Sequence, residues 1–457
     1  MTTPASSARH PIAVFGMFLT TASAVLFLTF FFADLFGLHA DNPYLGIVFF
    51  LILPGVFLLG LLLIPAGTLL ARRRRRRGLP EAAWRWPSFD LNDPAARRRL
   101  AAIGVLTLVN VAIVSLAAYK GVEYMDTPAF CGRVCHTVME PEYTAYLDGP
   151  HSRVACVACH IGPGAPFFVK AKVDGLRQVW AVAVNSYERP VPTPVRDLRP
   201  ARDTCEQCHW PAKFTGDLLK TVRRYASDEA NTEEATLLRL RVGGGSWRFG
   251  GPQGIHWHVS EDHRVEYVAA DEEREVIPWV RLTDASGRVT VFTADPEGGD
   301  PPPPGEIRTM DCVDCHNRPS HRFAPSAARA VDEALESGVL PRNLPYVRRE
   351  VVAVLEEPHP DRPTAERRIA DRLTGFYESS YPELVRASDG RIAQAVAGAQ
   401  RVYGHNVFPA MNVTWGTHPN HIGHDPSPGC FRCHDDEHRA PDGTTIRQDC
   451  TLCHGFE

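Results

Sequence analysis

Six short stretches each set two cysteines ahead of a histidine, and they constrain this chain more than anything else in it. They read Cys131-Gly-Arg-Val-Cys135-His136, Cys156-Val-Ala-Cys159-His160, Cys205-Glu-Gln-Cys208-His209, Cys312-Val-Asp-Cys315-His316, Cys430-Phe-Arg-Cys433-His434 and Cys450-Thr-Leu-Cys453-His454. Five have the C-x-x-C-H spacing of covalent c-type haem attachment, and the first carries one extra residue between its cysteines. The spacing has a chemical reason. Two thiols form thioethers to the two vinyl groups of one porphyrin, and the adjacent histidine is delivered to the iron; the haem brings the electron chemistry while the protein sets ligands, burial and orientation. A zinc ribbon also uses C-x-x-C, but zinc needs no histidine after every pair. All 12 cysteines are consumed by the motifs. The first motif, at the head of the series, reads as a stretched haem site, so six covalently bound haems c are expected.

At 457 residues the chain has room for two or three domains. The net charge of -4 gives no argument for a nucleic-acid partner. A hydrophobic fraction of 44% is too high for a disordered chain. Most of it lies before residue 121; the remainder reads as soluble, Pro-rich and irregular, as suits a chain whose haems supply much of the apolar core.

Ile12–Ala33, Leu45–Leu70 and Leu100–Tyr119 are apolar runs, each reaching the ~20 residues a helix needs to cross a bilayer. The first is too long for the roughly 7–15-residue apolar region of a signal peptide. The first two, joined through Asp41-Asn42-Pro43, read as a helical hairpin, with Pro54 and Pro65 tolerable in the second run. Arg72 to Arg77, Arg85 and Arg97 to Arg99 crowd the loop before the third run, while the first turn has no Lys or Arg. Positive-inside logic puts that loop and the N-terminus in the cytoplasm and everything after residue 121 outside. The arginines read more simply as a topology determinant than as a lipid or partner site, and Trp84 and Trp86 fit interfacial anchors. Haem attachment outside the bacterial inner membrane agrees with this topology.

From Met125 to His160 the chain runs from a membrane helix into a haem motif with a Met just downstream (His136-Thr-Val-Met139), then a spaced His151 and the second motif. This arrangement resembles the NapC/NirT family of membrane-anchored quinol dehydrogenases over residues 100–210. The phrases Met310-Asp-Cys-Val-Asp-Cys-His-Asn-Arg-Pro-Ser-His321 and Gly429-Cys-Phe-Arg-Cys-His434 are similar to longer inner-membrane multihaem members. The extra residue in the first motif and the N-terminal hairpin are not part of the basic family pattern. The resemblance implies oxidation of a membrane quinol, menaquinol or ubiquinol, next to the first haem. It also implies Met139 as a ligand of that iron, and Asp174 as the matching carboxylate. A Met ligand raises the potential relative to a bis-His haem. Quinol oxidation releases protons, so a base and a hydrogen-bond donor are needed there; Lys170, Lys172 and Asp174 are the candidates, although the lysines also read as charges meeting lipid phosphates.

Of 19 histidines, six belong to the motifs and His10 and His39 lie outside the haem region. His151, His256, His258, His263, His321, His359, His405, His418, His421, His424 and His438 remain as a supply of distal ligands, which makes bis-His ligation the expectation and leaves no open iron position. His151, His321 and His438 lie within a few residues of a motif; His321 and His438 are expected to serve haems other than their own. One of His256 and His258 is expected to ligate, since alternate residues on a strand face opposite ways. The same holds for His421 or His424. His405 and His418 are weaker candidates, and His263 and His359 read as surface residues.

Leu237–Val242, Arg264–Val268, Ile277–Leu282 and Gly287–Phe292 read as short strands between Gly and Asp turns. They form a β insert that ends in the stiff Pro301–Pro304 linker; haem cover plus one distal ligand is its plainest role. Ala327–Glu357, broken at Pro341 and Pro345, and Thr364–Val402 carry helical spacing with solvated Glu/Arg faces. The expected fold is therefore an α-helical membrane anchor of three transmembrane helices, plus a mainly α and irregular multihaem cytochrome c domain with a small β insert. The divisions fall at 1–71 (hairpin), 72–99 (Arg loop), 100–121 (third helix), 122–225 (first three haems), 226–304 (β insert) and 305–457 (last three haems). The expected function is quinol oxidation with relay to a periplasmic acceptor, another cytochrome, the terminal motif pair being the exit. A second reading is an electron-wiring subunit whose quinone site belongs to a membrane partner, kept open by the extra hairpin. A terminal reductase would need a haem with an exchangeable position, and no C-x-x-C-K departure is present.

Overall fold

The computed structural model describes residues 11–35, 52–76, 92–98, 101–102, 105, 122–134, 136–162, 164–194, 199–244, 254–295 and 302–456. Most of the third apolar run, Trp84 and Trp86 and Cys135 lie outside the described residues, as do the His136 side chain and most of the Arg loop. Two compact units divide the chain: Met1–Thr127 with Pro163–Gly175, and Pro128–Gly162 with Leu176–Glu457.

In the first unit, α1 (Pro11–Leu35) packs on α2 (Leu53–Arg76), which contains Pro65. Glycine lets the two backbones meet. A Cβ on Gly16 would stand 2.7 Å from the Gly60 carbonyl, and one on Gly67 would stand 2.4 Å from the Ala13 amide nitrogen. Small residues at a helix crossing permit this approach and trade side-chain burial for van der Waals contact between helices. Among the described residues no helix is long and apolar enough to cross a membrane, so the three-span anchor rests on the sequence.

The second unit holds all six motifs, two sheets and a helical core. The helix following the first motif, α3 (His136–Leu147), belongs to it; α4 (Ala165–Ala183), after the second motif, is divided between the units at Gly175. β1 (Leu218–Tyr225) pairs antiparallel with β2 (Glu233–Leu240), so this hairpin straddles the expected division at 225/226. Strand β1 escapes the sequence pattern because its burial is low along most of its length. The second sheet has the order β5-β4-β3-β6, from β3 (Arg264–Val268), β4 (Trp279–Thr283), β5 (Val289–Thr293) and β6 (Arg308–Thr309). The chain ends in β7 (His454–Phe456), which adds to the first sheet by pairing Leu240 with His454 and Leu238 with Phe456.

Four helices, α5 (Ala327–Glu336), α6 (Val347–Glu356), α7 (Arg362–Ser380) and α8 (Arg391–Asn406), enclose an aliphatic core of their own. Val331 and Leu335, Val351 and Leu355, and Ile369, Leu373 and Tyr377 recur at helical spacing and are sealed from solvent. Their outer faces are charged as expected, but the inner faces make a complete side-chain core rather than one lent by haem. Ser326 accepts from the Arg329 amide to cap α5, and Asp361 accepts from Thr364 N at 2.8 Å to start α7. The β1–β2 hairpin docks here through Asn231, which donates to Leu344 O at 2.8 Å and Arg342 O at 3.1 Å.

Leu335→Ala is expected to destabilise this unit by roughly 2–5 kcal/mol. Leu219→Ala, at a side chain 58% exposed, should stay within about 0.5 kcal/mol; denaturant titrations of both variants provide the check.

Candidate haem sites

The second to fifth motifs are each one helical turn, while the sixth opens in a 3-10 turn, Cys450–Leu452, and its His454 begins β7. In Cys-x-x-Cys-His the histidine amide lies four residues after the first cysteine, so a turn closes the segment. His209 N donates to Cys205 O and His316 N to Cys312 O, both at 2.8 Å, and His434 N donates to Cys430 O at 3.0 Å. Cys156–His160 is helical throughout. In the first motif Gly132 is buried under Tyr143; a Cβ there would stand 2.1 Å from the ring, which explains a glycine at that position.

The structure sets five motif histidines opposite five others. His160 faces His321 with ring centroids 6.2 Å apart, and His209 faces His151 at 6.1 Å. His316 faces His256 at 6.4 Å, His434 faces His258 at 5.8 Å, and His454 faces His424 at 6.2 Å. A metal–imidazole bond of about 2 Å, with each nitrogen about 1 Å from its ring centre, puts two trans imidazoles on one iron about 6 Å apart. The spacing therefore fits iron held between each pair. Hydrogen bonds support the same reading. Nδ1 of His151 is 3.1 Å from Pro319 O, that of His258 is 2.8 Å from Ile255 O, and those of His321 and His434 are each 2.9 Å from Glu142 O and Arg447 O. A carbonyl only accepts, so Nδ1 carries the proton and Nε2 keeps its lone pair for a metal. Burial also favours the neutral ring that ligation needs: it lowers His258 to about 4 and lowers His160 and His316.

The cysteines lie in chain order. Cys131 hydrogen-bonds Cys156 and raises its thiol. Burial raises Cys159, with Cys205 and Cys208 adding to the rise. A Cys205–Cys312 hydrogen bond lowers the first and raises the second. Burial pushes Cys433 up to about 12 with help from Cys315, and Cys453 up to about 11 with help from Cys430. Successive motifs are thus neighbours from the first to the sixth. Among the described residues no three His, Cys, Asp or Glu side chains converge on a bare ion.

Residues inside the motifs bind the fourth to the fifth. Asp314, 1% exposed, accepts from Tyr267 Oη at 2.6 Å and from Arg274 at 2.9 Å, with Arg308 at 3.4 Å. Arg432 donates to the Asp314 carbonyl at 2.7 Å and to Arg274 O at 2.8 Å. Glu142 on α3 takes both its 2.9 Å bonds from Arg318 and holds His321 through its backbone carbonyl. Sequence reading missed these residues; the acidic and basic residues inside neighbouring motifs were the available signal.

Other expected ligands are placed differently. His438 is buried with Nδ1 2.9 Å from Asp435 and Nε2 2.6 Å from Ile277 O, two acceptors, so it is not set opposite a motif histidine. His421 and His418 are buried, which lowers each to about 4; neither faces a described motif histidine. His405, a weaker candidate, lies 3.1 Å from Asp148; His263, read from the sequence as a surface residue, stacks on Trp257. The expectation that one of His256 and His258 ligates assumed a strand. The segment is a 3-10 turn, Ile255–Val259, and both rings face motif histidines. Met139 is half-buried on α3. Lys170, Lys172 and Asp174 lie on α4, where Lys172 Nζ is 3.8 Å from Asp126 Oδ1 and 4.8 Å from the Phe168 ring centre.

Residues 94–191 match the NapC/NirT cytochrome c family, N-terminal region. The chain is 41% identical over 447 residues to the "Cytochrome c-type protein ImcH" of Geobacter sulfurreducens, covering 97% of this chain and 87% of that protein. No solved structure matches.

Removing one partner of a buried ion cluster strands the others. Asp314→Ala should cost roughly 3–5 kcal/mol. Arg224→Ala, which breaks an exposed pair with Asp425, should cost under about 1 kcal/mol; the two denaturation midpoints test the contrast.

Proposed function

The chain belongs to the NapC/NirT cytochrome c family, and from that premise we propose that it oxidises membrane quinol and relays electrons through six covalently bound haems c to a periplasmic acceptor, such as another cytochrome. The observation that carries this reading is the row of five histidine pairs spaced for iron, each beside a cysteine motif. Haem c, when bound, supplies a one-electron iron couple. The thioether residues are Cys131, Cys135, Cys156, Cys159, Cys205, Cys208, Cys312, Cys315, Cys430, Cys433, Cys450 and Cys453. His136, His160, His209, His316, His434 and His454 bind from the motif side. With a histidine on each face, five irons would have no position left for substrate, which would suit conduction rather than turnover. Met139 is proposed at the first iron.

The proposed quinol site uses α4. Lys170 and Lys172 offer N–H donors to a quinol hydroxyl, and the Asp174 carboxylate accepts a released proton at its oxygen. Val173, Leu176 and Trp180 are 57%, 73% and 69% exposed on that helix. Such an apolar stripe beside lysines suits a helix lying at a lipid surface. The anchor is proposed as three-pass in a bacterial inner membrane, with α1, α2 and the run 100–119 as spans and the Arg loop in the cytoplasm. The quinone is proposed as menaquinone or ubiquinone.

Mass spectrometry of the purified protein should show the mass of six covalent haems. A menaquinol analogue should reduce it without a partner, and Asp174→Asn should slow that reduction by about 10²-fold at an unchanged haem count. Failure of quinol to reduce the six-haem protein would favour the electron-wiring subunit, with the quinone site in a membrane partner.

A further inference from the structure

We propose that the single turn Ile255–Val259 supplies the sixth ligand to two neighbouring haem sites at once, His256 to the fourth and His258 to the fifth, and that the two irons it clamps differ electronically because their imidazole planes are set differently. This rests on the reading of the motifs as haem c sites and goes beyond it by assigning ligands and their orientation.

The turn is built for the task. It hangs from the segment after β2: Ile255 N donates to Arg241 O at 2.7 Å, and His256 N donates to Gly243 O at 3.0 Å. Gly244 and Gly254, at φ +99° and +131°, make this approach possible. A Cβ on Gly244 would stand 2.7 Å from the Trp257 amide nitrogen, and one on Gly254 would stand 2.5 Å from Gly243 O. With about three residues per turn, side chains two apart splay in different directions. Trp257, between them in sequence, stacks on His263 with centroids 3.8 Å apart. Nδ1 of His256 bonds Val242 O, and Nδ1 of His258 bonds Ile255 O. Both rings therefore present Nε2 outward, one 6.4 Å from His316 and the other 5.8 Å from His434, centre to centre. On the motif side the same two sites are tied by the Arg432–Asp314 bond. The pair is thus held from both faces.

The ring planes differ. His256 and His316 are 8° from parallel, whereas His258 and His434 cross at 83°. Parallel imidazoles act on the same iron dπ orbital and split the set, giving a rhombic low-spin spectrum. Perpendicular imidazoles act on both dπ orbitals alike and leave them nearly degenerate, giving a strongly anisotropic signal with a large principal g value. Sites three and six repeat the contrast, at 80° and 26°.

Electron paramagnetic resonance of the oxidised, detergent-solubilised full chain should show both signal classes. His258→Met should reduce the large-g signal by about half, keep the rhombic one, and raise the midpoint potential of one haem, since Met is the weaker donor to ferric iron. A near-infrared sulfur-to-iron charge-transfer band should accompany the change. His256→Met should instead reduce the rhombic signal by about half, keep the large-g one, and likewise raise the midpoint potential of one haem. If either variant keeps both signals in full at six covalent haems, the assignment falls while the haem reading stands. A wild-type spectrum with no large-g signal would overturn the orientation without any variant. Absence of covalent haem would overturn the reading beneath it.

Discussion

Two imidazoles that share one iron must stand about 6 Å apart across it, and the architecture of the second unit follows from meeting that distance repeatedly. The motif side of each site is local. One helical turn from cysteine to histidine brings two sulfurs and a ring to one side of a short segment, and the turn is closed by a single backbone bond, as at Cys205–His209 and Cys312–His316. The far side is never local. His321, after the fourth motif, faces the second; His151, before the second, faces the third; His256 and His258 reach the fourth and fifth from between strands. The segments are laced together by histidines that stand opposite one another, and buried polar contacts hold the lacing. Glu142 grips Arg318 and His321, while Asp314 and Arg432 join two motifs. These are charge-assisted bonds in protected surroundings, where leaving a partner unmet is expensive.

The four helices α5 to α8 play a different part. Their core is aliphatic and self-contained, so this part of the unit gains its stability from hydrophobic burial. The β1–β2 hairpin leans on that core through Asn231 and carries β7, with the sixth motif's histidine, on its other edge. A mechanical path therefore runs from the helical body to the sixth motif. Rigidity suits electron transfer, because a fixed geometry lets oxidation state change without rearrangement of the ligands.

Much of this organisation was legible. The helix pairs flanking Pro341 and Pro345, the strands at 264–268 and 279–283, and the apolar hairpin all follow period and turn chemistry. Strand β1 was not legible, because Leu218–Tyr225 is mostly exposed and interleaves Lys and Arg with its apolar residues. Nor was the 3-10 turn at His256, which a two-residue histidine spacing disguises as strand. His438 was misleading in the opposite sense. Its nearness to a motif suggested a ligand, yet its two nitrogens are taken up by Asp435 and Ile277 O.

By itself the sequence determined everything that rests on neighbours along the chain: where each pair of cysteines stands, which histidine follows it, and which runs are apolar. Spacing suffices there because covalent geometry and helix period act over four or five residues. Tertiary structure alone decided which imidazole stands opposite which motif, and at what angle. Those partners are distant in the chain, and the position of each ring depends on every turn, strand and buried bond between them. Nineteen histidines permit many pairings, and only packing of the intervening backbone selects one.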